Sequence, residues 1–264
     1  MARLDAELCA RGLVSGRGRA AELVREGRVR VNGAVASKPA MQVSDADVLE
    51  ADDNPFVGRG GLKLAHALRT FSLDVRGMTA VDLGASTGGF TDCLLQNGAA
   101  HVWAIDVGHG QLDARLAADP RVTSLEGVNA RSVTRETIGG AVPSLVAADL
   151  SFISLKLIYP VIAGLLDAHG LAVTLIKPQF EAGRAAVGKN GVVRDHAAHV
   201  RVLRELEEAS RAAGLGLRGI CVSPIRGGEG NVEYLALYEK GHTGLLRPDY
   251  AAIAHEKLHD KKGE

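Results

Sequence analysis

The sequence predicts an α/β fold, a mostly parallel sheet flanked by helices, behind a small α+β module at the N-terminus. Three observations predict it. From Met78 onward, short apolar runs alternate with helical patterns, as repeated strand–helix units do. The first run, Ala80–Leu83, passes through tiny residues into the helical pattern Phe90–Gln96, a strand, a glycine-rich turn and a helix N-terminus. Ahead of these units, residues 1–53 read as two short helices and a hairpin. A chain of 264 residues, 46% hydrophobic, suits one large domain with a small appendage.

In the small module, Leu4, Leu8 and the pair Cys9–Ala10 form a helical stripe ending near Gly12. Ser15 is placed to cap a second helix that buries Ala20, Leu23 and Val24 and stops at Gly27. Val29–Arg30–Val31, Asn32–Gly33 and Ala34–Val35–Ala36 give the strongest hairpin signal in the chain. Equal numbers of acidic and basic residues hide an asymmetry. Arg11, Arg17, Arg19, Arg25, Arg28 and Arg30 face only Glu22 and Glu26 over residues 11–30, while residues 45–53 are acidic. Phosphate binding depends on local rather than total charge, so these arginines are RNA-binding candidates; a solvated helix face is the plain alternative. The run L-V-x-x-G-R-V-x-V-N-G, from Leu23 to Gly33, resembles the small RNA-binding domain named after ribosomal protein S four.

Residues 54–62 read as a linker, and 63–264 as the second domain, with Arg59 to Leu64 leading into a helix that runs to Leu68. Strand candidates follow at Ala80–Leu83, Val102–Asp106, Val122–Leu125, Leu145–Asp149 and Leu171–Lys177. Helices are expected at Leu155–Leu166 and from His196 to Ala213, the latter with Val200, Leu203 and Leu206 on its apolar face. Pro178 is read as denying a helix start after Lys177. Ile220–Val222 and Val232–Tyr238 then read as two strands joined by a glycine-rich loop. Five parallel strands closing on a hairpin is the pattern of the seven-stranded, Rossmann-like class I methyltransferase fold.

In open α/β sheets ligands bind at the carboxyl ends of the strands, so polar strand-end residues are the site candidates. A dinucleotide fingerprint would need glycine at position 86, where the chain has Ser86, and the glycines at 88 and 89 are adjacent. The form Asp82-x-Gly84-x-x-x-Gly88 resembles instead the first motif of S-adenosylmethionine-dependent methyltransferases, which implies cofactor roles for Asp82, Gly84, Ser86, Gly88 and Gly89. Asp106 ends the second strand about twenty residues on, where a carboxylate accepts hydrogen bonds from both ribose hydroxyls of an adenosine. Asn129, after the third strand, is a candidate for the adenine. Asp149 and Lys177 close the fourth and fifth strands, and Glu233 is read as lying in the last.

The segments R-G-G-L-K-L, D-L-G-A-S-T-G-G-F-T-D, A-I-D-V-G-H-G-Q-L, A-D-L-S-F-I-S-L, I-K-P-Q-F-E-A-G and G-N-V-E-Y resemble the TlyA, or haemolysin A, family of ribosomal RNA 2′-O-methyltransferases, nearly end to end. That resemblance implies S-adenosylmethionine as cofactor and cytidines of small- and large-subunit ribosomal RNA as substrate. The family belongs to the RrmJ-like ribose methyltransferases, whose Lys-Asp-Lys-Glu tetrad falls by motif on Lys63, Asp149, Lys177 and Glu233; Asp149 also faces the cofactor. Lys177 is expected to be central, with Asp149 and Glu233 holding the lysines. Phe152, just past Asp149, is a candidate to stack on a flipped base, with core packing as its alternative.

No apolar run reaches membrane-spanning length and the N-terminus lacks a signal-peptide core, so a cytoplasmic protein is expected, a monomer with no membrane and no metal. Cys9, Cys93 and Cys221 are far apart and odd in number, which reads as reduced thiols. The alternative functions are a membrane-active haemolysin and a catalytically inactive RNA-binding protein. A small-molecule methyltransferase leaves the basic hairpin module unexplained.

Overall fold

The computed structural model describes residues 1–188, 190–243 and 246–258, without the side chains of 257 and 258; the end of the second domain, 259–264, lies outside the described residues. The chain divides into two compact units, Met1–Pro55 and Phe56–Glu264.

The first unit contains β1 (Ala2–Arg3), α1 (Leu4–Ala10), α2 (Arg17–Arg25), β2 (Val29–Val31), β3 (Ala34–Val35), β4 (Gln42–Val43) and β5 (Leu49–Ala51). The expected apolar stripes meet in one core of Leu4, Leu8, Ala20, Leu23, Val24, Val29 and Val31. Asn32 and Gly33 take φ of +50° and +80°, the left-handed pair that a two-residue hairpin turn of this hand requires. Ser15 does not cap α2: Gly16 occupies that place, with no side-chain cap. The acidic run conceals a strand, because β5 pairs β2 antiparallel with Val31 opposite Leu49. That pairing and the two-residue β1–β4 pair are too short to show an alternation in sequence.

The second unit begins its ordered elements sooner than the expected linker allows. Phe56 and Val57 pack against its core, and α3 (Gly60–Thr70) starts at Gly60. There follow β6 (Thr79–Leu83), α4 (Gly89–Gln96), β7 (His101–Ile105), α5 (Ala114–Ala117), β8 (Val122–Leu125), β9 (Leu145–Ala148), α6 (Tyr159–Leu165), β10 (Leu171–Ile176), α7 (Pro178–Glu181), α8 (His196–Ala212), β11 (Leu215–Val222), β12 (Tyr234–Lys240) and α9 (Tyr250–Leu258). Seven strands form one sheet in the order β11-β12-β10-β9-β6-β7-β8. The five from β6 to β10 are parallel, and β12 pairs antiparallel with β10 and β11. Alternate residues feed two cores: Val81, Leu83, Val146 and Ala148 pack toward α6 and α8, while Ala80, Leu145, Ala147 and Val173 pack toward α3 and α4. Strands buried on both faces explain why they read as unbroken apolar runs.

Several boundaries differ from expectation for identifiable reasons. The segment 155–166 is a 3₁₀ turn at Leu155–Leu157 followed by α6, with Pro160 in the helix's first turn, where its missing N–H costs nothing. Pro178 acts likewise: it opens α7 with Lys177 at the N-cap, so the proline starts a one-turn helix rather than denying one. The final strand begins at Tyr234, so Glu233 stands just ahead of it, on the glycine-rich loop. Buried Asn231 holds that loop, accepting from Val193 N at 3.0 Å and donating to Gly191 O at 2.9 Å.

Candidate active site

The order of strands reverses between β6 and β9, and the chain's glycine turn lies at that switch point. Gly84 has φ +83°, and a Cβ there would fall 2.5 Å from Asp149 O, so a side chain would force apart the loops leaving β6 and β9. Ser86, also left-handed at φ +48°, donates its N–H to Asp106 Oδ2 at 2.8 Å, and Gly108 N donates to Oδ1 at 2.7 Å. Asp106 thus caps the turns on both sides and still faces a cleft of ≈ 660 Å³. Gly84, Ser86, Asn129, Asp149, Ser151 and Phe152 also line it. Asn129 caps a helical turn, accepting from Arg131 N at 3.0 Å, and keeps its amide at the cleft wall. A smaller cleft of ≈ 220 Å³ shares Gly84, Ser86, Asp149 and Ser151 with the first and extends to Gly58, Gly60, Gly89 and Lys177.

Two of the expected cofactor residues serve the scaffold instead. Asp82 is 0% exposed and points beneath the turn, where Oδ2 accepts from Thr91 N at 2.9 Å and Thr91 Oγ1 at 2.7 Å. Its Oδ1 has no hydrogen-bond partner. Burial pushes this carboxyl up to about 7, against the Thr91 hydrogen bonds and with the Asp149 and Asp106 charges adding to the rise. Because the folded value lies above the unfolded one near 3.8, the native state holds the extra proton between them, so stability falls as pH rises from about 4 through about 7. Asp82→Asn removes that ionisation. Its denaturant midpoint is expected to change less than the wild-type midpoint between pH 5 and 8, and equal pH profiles would show that Asp82 is not the group responsible. Gly88, at φ +95°, is the N-cap of α4, and a Cβ there would strike Leu116 and Leu112. It seats α4 against α5 and lines neither cleft. Gly89 does line the smaller one, packed so closely that a Cβ would lie 3.0 Å from Gly61 N.

The four charged residues come together as two ion pairs. Lys63, one turn into α3, places Nζ 2.6 Å from Glu233 Oε2, with side chains only 8% and 2% exposed. Lys177 Nζ lies 2.6 Å from Asp149 Oδ1, off the angle of a hydrogen bond, and donates to Ser151 Oγ at 2.8 Å. The strand register joins the pairs: Ile176 sits opposite Tyr234, so Lys177 and Glu233 are neighbours where β10 and β12 leave the sheet. Gly60 at the start of α3 abuts Asp149, a Cβ there reaching 3.5 Å from Oδ2, and carries Lys63 along the same helix. Sequence reasoning missed Ser151, although a hydroxyl two residues beyond Asp149 on a strand-end loop was a signal available to it.

Phe152 is 90% exposed with φ +63°, its ring centroid 4.9 Å from that of Phe180, so the core-packing alternative does not hold. The arginines divide. Arg11 donates to Ser44 O, Asp47 O and Glu7; Arg19 to Asp53 and Glu22; Arg28 to Asn54 O and Glu26. These three stitch the first unit together and stay partly exposed. Two of their carboxylate partners, Asp52 and Asp53, come from the acidic run, and residues 1–55 hold eight basic against nine acidic side chains. Arg17 reaches Asp5 at 3.4 Å and Arg30 its own turn at Gly33 O, but both stay exposed. Exposed Arg25 forms no ion pair among the described residues.

Comparison with known proteins matches residues 56–240 to the FtsJ-like methyltransferase family and residues 2–49 to the S4 domain. A Mycobacterium tuberculosis protein named 16S/23S rRNA (cytidine-2'-O)-methyltransferase TlyA is 49% identical over 238 residues, 88% of each chain. Hemolysin A of Brachyspira hyodysenteriae is 40% identical over 89% of this chain and 98% of its own. The solved structure of a hemolysin-named protein from Streptococcus thermophilus superposes with a TM-score of 0.76 at 40% identity, covering 96% of this chain and 94% of that one.

Proposed function

The chain belongs to the FtsJ-like methyltransferase family, with an S4 domain ahead of the methyltransferase domain, and on that premise we propose that it methylates the ribose 2′-hydroxyl of cytidines in ribosomal RNA, using S-adenosylmethionine. One observation carries the reading: the Lys177–Asp149 pair, backed by Lys63–Glu233, stands where the two clefts meet beside the glycine turn.

The larger cleft fits the cofactor. Each Asp106 oxygen accepts one backbone N–H and retains a second lone pair for a ribose hydroxyl, and Asn129 offers both donors and an acceptor to a purine edge. Gly84 leaves the floor free of side chains. When bound, S-adenosylmethionine supplies an electrophilic methyl group on a sulfonium. The chain's own residues handle the acceptor. A ribose hydroxyl is a weak nucleophile that must be aimed and relieved of its proton. Of the three donors on an ammonium, Ser151 engages one at Lys177, Asp149 holds the charge as an ion pair, and a remaining donor holds the 2′-oxygen in line. As the oxygen forms its bond to carbon, its proton passes to the Lys177–Asp149 pair, where Asp149 Oδ1 has unfilled acceptor capacity. Lys63 and Glu233 hold α3 against the strand exits. Phe152 offers a stacking face to a base turned out of its helix, and Arg17, Arg25 and Arg30 offer charge to RNA phosphates.

The printed activity of the M. tuberculosis relative supports both ribosomal subunits as substrates, and with them a cytoplasmic site of action. The haemolysin name of other relatives keeps a second reading in play. No helix among the described residues is long and apolar enough to cross a membrane, whereas both ion pairs of a ribose methyltransferase are in place. The test uses isotopically labelled S-adenosylmethionine with isolated ribosomal subunits, followed by alkaline hydrolysis. Label in alkali-resistant dinucleotides containing cytidine is the expected result. Label confined to alkali-labile mononucleotides would place the methyl on a base and overturn the proposal. Liposome leakage without RNA methylation would favour the haemolysin.

A further inference from the structure

We infer that Glu181 is a positioning residue for the target nucleotide: it clamps the loop after β9 so that Phe152 stands ready to receive the base. The inference deepens the ribose-methylation reading and rests on it. Glu181 ends α7 and lines neither cleft itself, yet both of its oxygens are spent on that loop, whose Ser154 lines the larger one. Oε2 accepts from Ser154 Oγ at 2.6 Å, and Oε1 accepts from Leu155 N at 2.8 Å. Ser154 Oγ in turn accepts from Lys156 N at 3.2 Å, so one carboxylate fixes both the loop's end and the helical turn that follows.

The other end of the loop is fixed by the reacting pair, through Lys177 with Asp149 and Ser151. Between these two anchors Phe152 holds φ +63°, a left-handed conformation that a bulky residue keeps only where its surroundings impose it. The ring it projects is almost wholly exposed, and its neighbour is Phe180, the residue just before Glu181. A single turn of helix thus carries Lys177 at its N-cap, a ring against Phe152, and the carboxylate that holds the loop at Ser154 and Leu155, two and three residues past Phe152. An exposed aromatic held in a constrained backbone offers a ready face for a base to stack on. Burial, which raises the Glu181 carboxyl above the usual range, marks the clamp as part of the packed structure rather than a surface contact.

The test compares wild type, Phe152→Ala, Glu181→Ala, Glu181→Gln and the double variant Phe152→Ala/Glu181→Ala. Three quantities are read: subunit binding by filter retention, single-turnover methylation across subunit concentrations, and S-adenosylmethionine affinity by calorimetry. Loss of one stacked base corresponds to about tenfold in subunit affinity, and Glu181→Ala is expected to show about that loss in binding and in KM, with cofactor affinity unchanged. Glu181→Gln is expected to recover most of it, since the amide oxygen accepts from Leu155 N and the amide N–H donates to Ser154 Oγ. The double variant is expected to bind no worse than Phe152→Ala, because Glu181 acts through that ring. Additive losses, an equal loss of cofactor affinity, or wild-type behaviour of Glu181→Ala each overturn the inference. If Glu181→Ala does not fold, Ser154→Ala removes one of the two anchors, and its cycle with Phe152→Ala is read in the same way. A wild type that binds subunits but transfers no methyl overturns the ribose-methylation reading, while the binding cycle still decides the role of Glu181. A wild type that binds neither subunit overturns both.

Discussion

Lys177→Ala is expected to lower single-turnover methyl transfer by about 10³-fold while leaving S-adenosylmethionine and subunit affinities near those of the wild type. The size follows from what the ammonium does. It is the cationic group that faces Asp149 and Ser151 at the shared wall of the two clefts, and it alone reaches the smaller one from β10. Its contact with the acceptor oxygen tightens only as the oxygen loses its proton, so its removal appears in the rate and not in binding. Lys177→Arg is expected to rescue little, because a planar guanidinium cannot satisfy Asp149, Ser151 and a third acceptor with the same geometry. Near-normal turnover by Lys177→Ala would transfer the role to another residue.

The second large effect concerns stability. Glu233→Ala is expected to destabilise the methyltransferase domain by about 3–5 kcal/mol, since it strands the ammonium of Lys63 in a buried site. At roughly 2–4 °C per kcal/mol for a domain of this size, the melting temperature falls by about 6–20 °C. The pair's own net contribution is smaller than that loss, because two charges were taken out of water to form it. A double replacement, Lys63→Met with Glu233→Leu, is therefore expected to recover most of the melting temperature without recovering activity. Calorimetric scans of the three proteins decide it. A single Glu233→Ala variant that melts with the wild type would mean that water or another group already neutralises Lys63.

The fold was legible because central strands such as β9 and β10 are buried on both faces and announced themselves as apolar runs between helical patterns. The turn at Gly84, the carboxylate of Asp106 and the lysine of Lys177 were legible because they sit where strands end. What sequence could not convey was direction. Asp82 stands one residue before the end of β6 and Asp106 one residue past the end of β7, yet Asp82 points under the turn toward Thr91 rather than into the cleft. Arg19 and Arg28 looked like part of one basic patch because their partners Asp53 and Asp52 arrive from further along the chain, beyond the hairpin. The tetrad was assigned through family resemblance, and only the register of β10 against β12 explains how Lys177 and Glu233 become neighbours. Glu181 was visible only as the sixth letter of a motif; its work lies in the fold of a loop that periodicity does not describe.

The reversal of strand order between β6 and β9 separates the two reactants' custodians. Asp106 and the turn that it braces belong to the β6–β7 flank, whereas Lys177, Asp149, Phe152 and the clamp come from β9, β10 and their connections. The second flank also walls the larger cleft through Asp149, Ser151 and Phe152, so mutational drift that retargets the enzyme to new nucleotides is confined to positions off that shared wall.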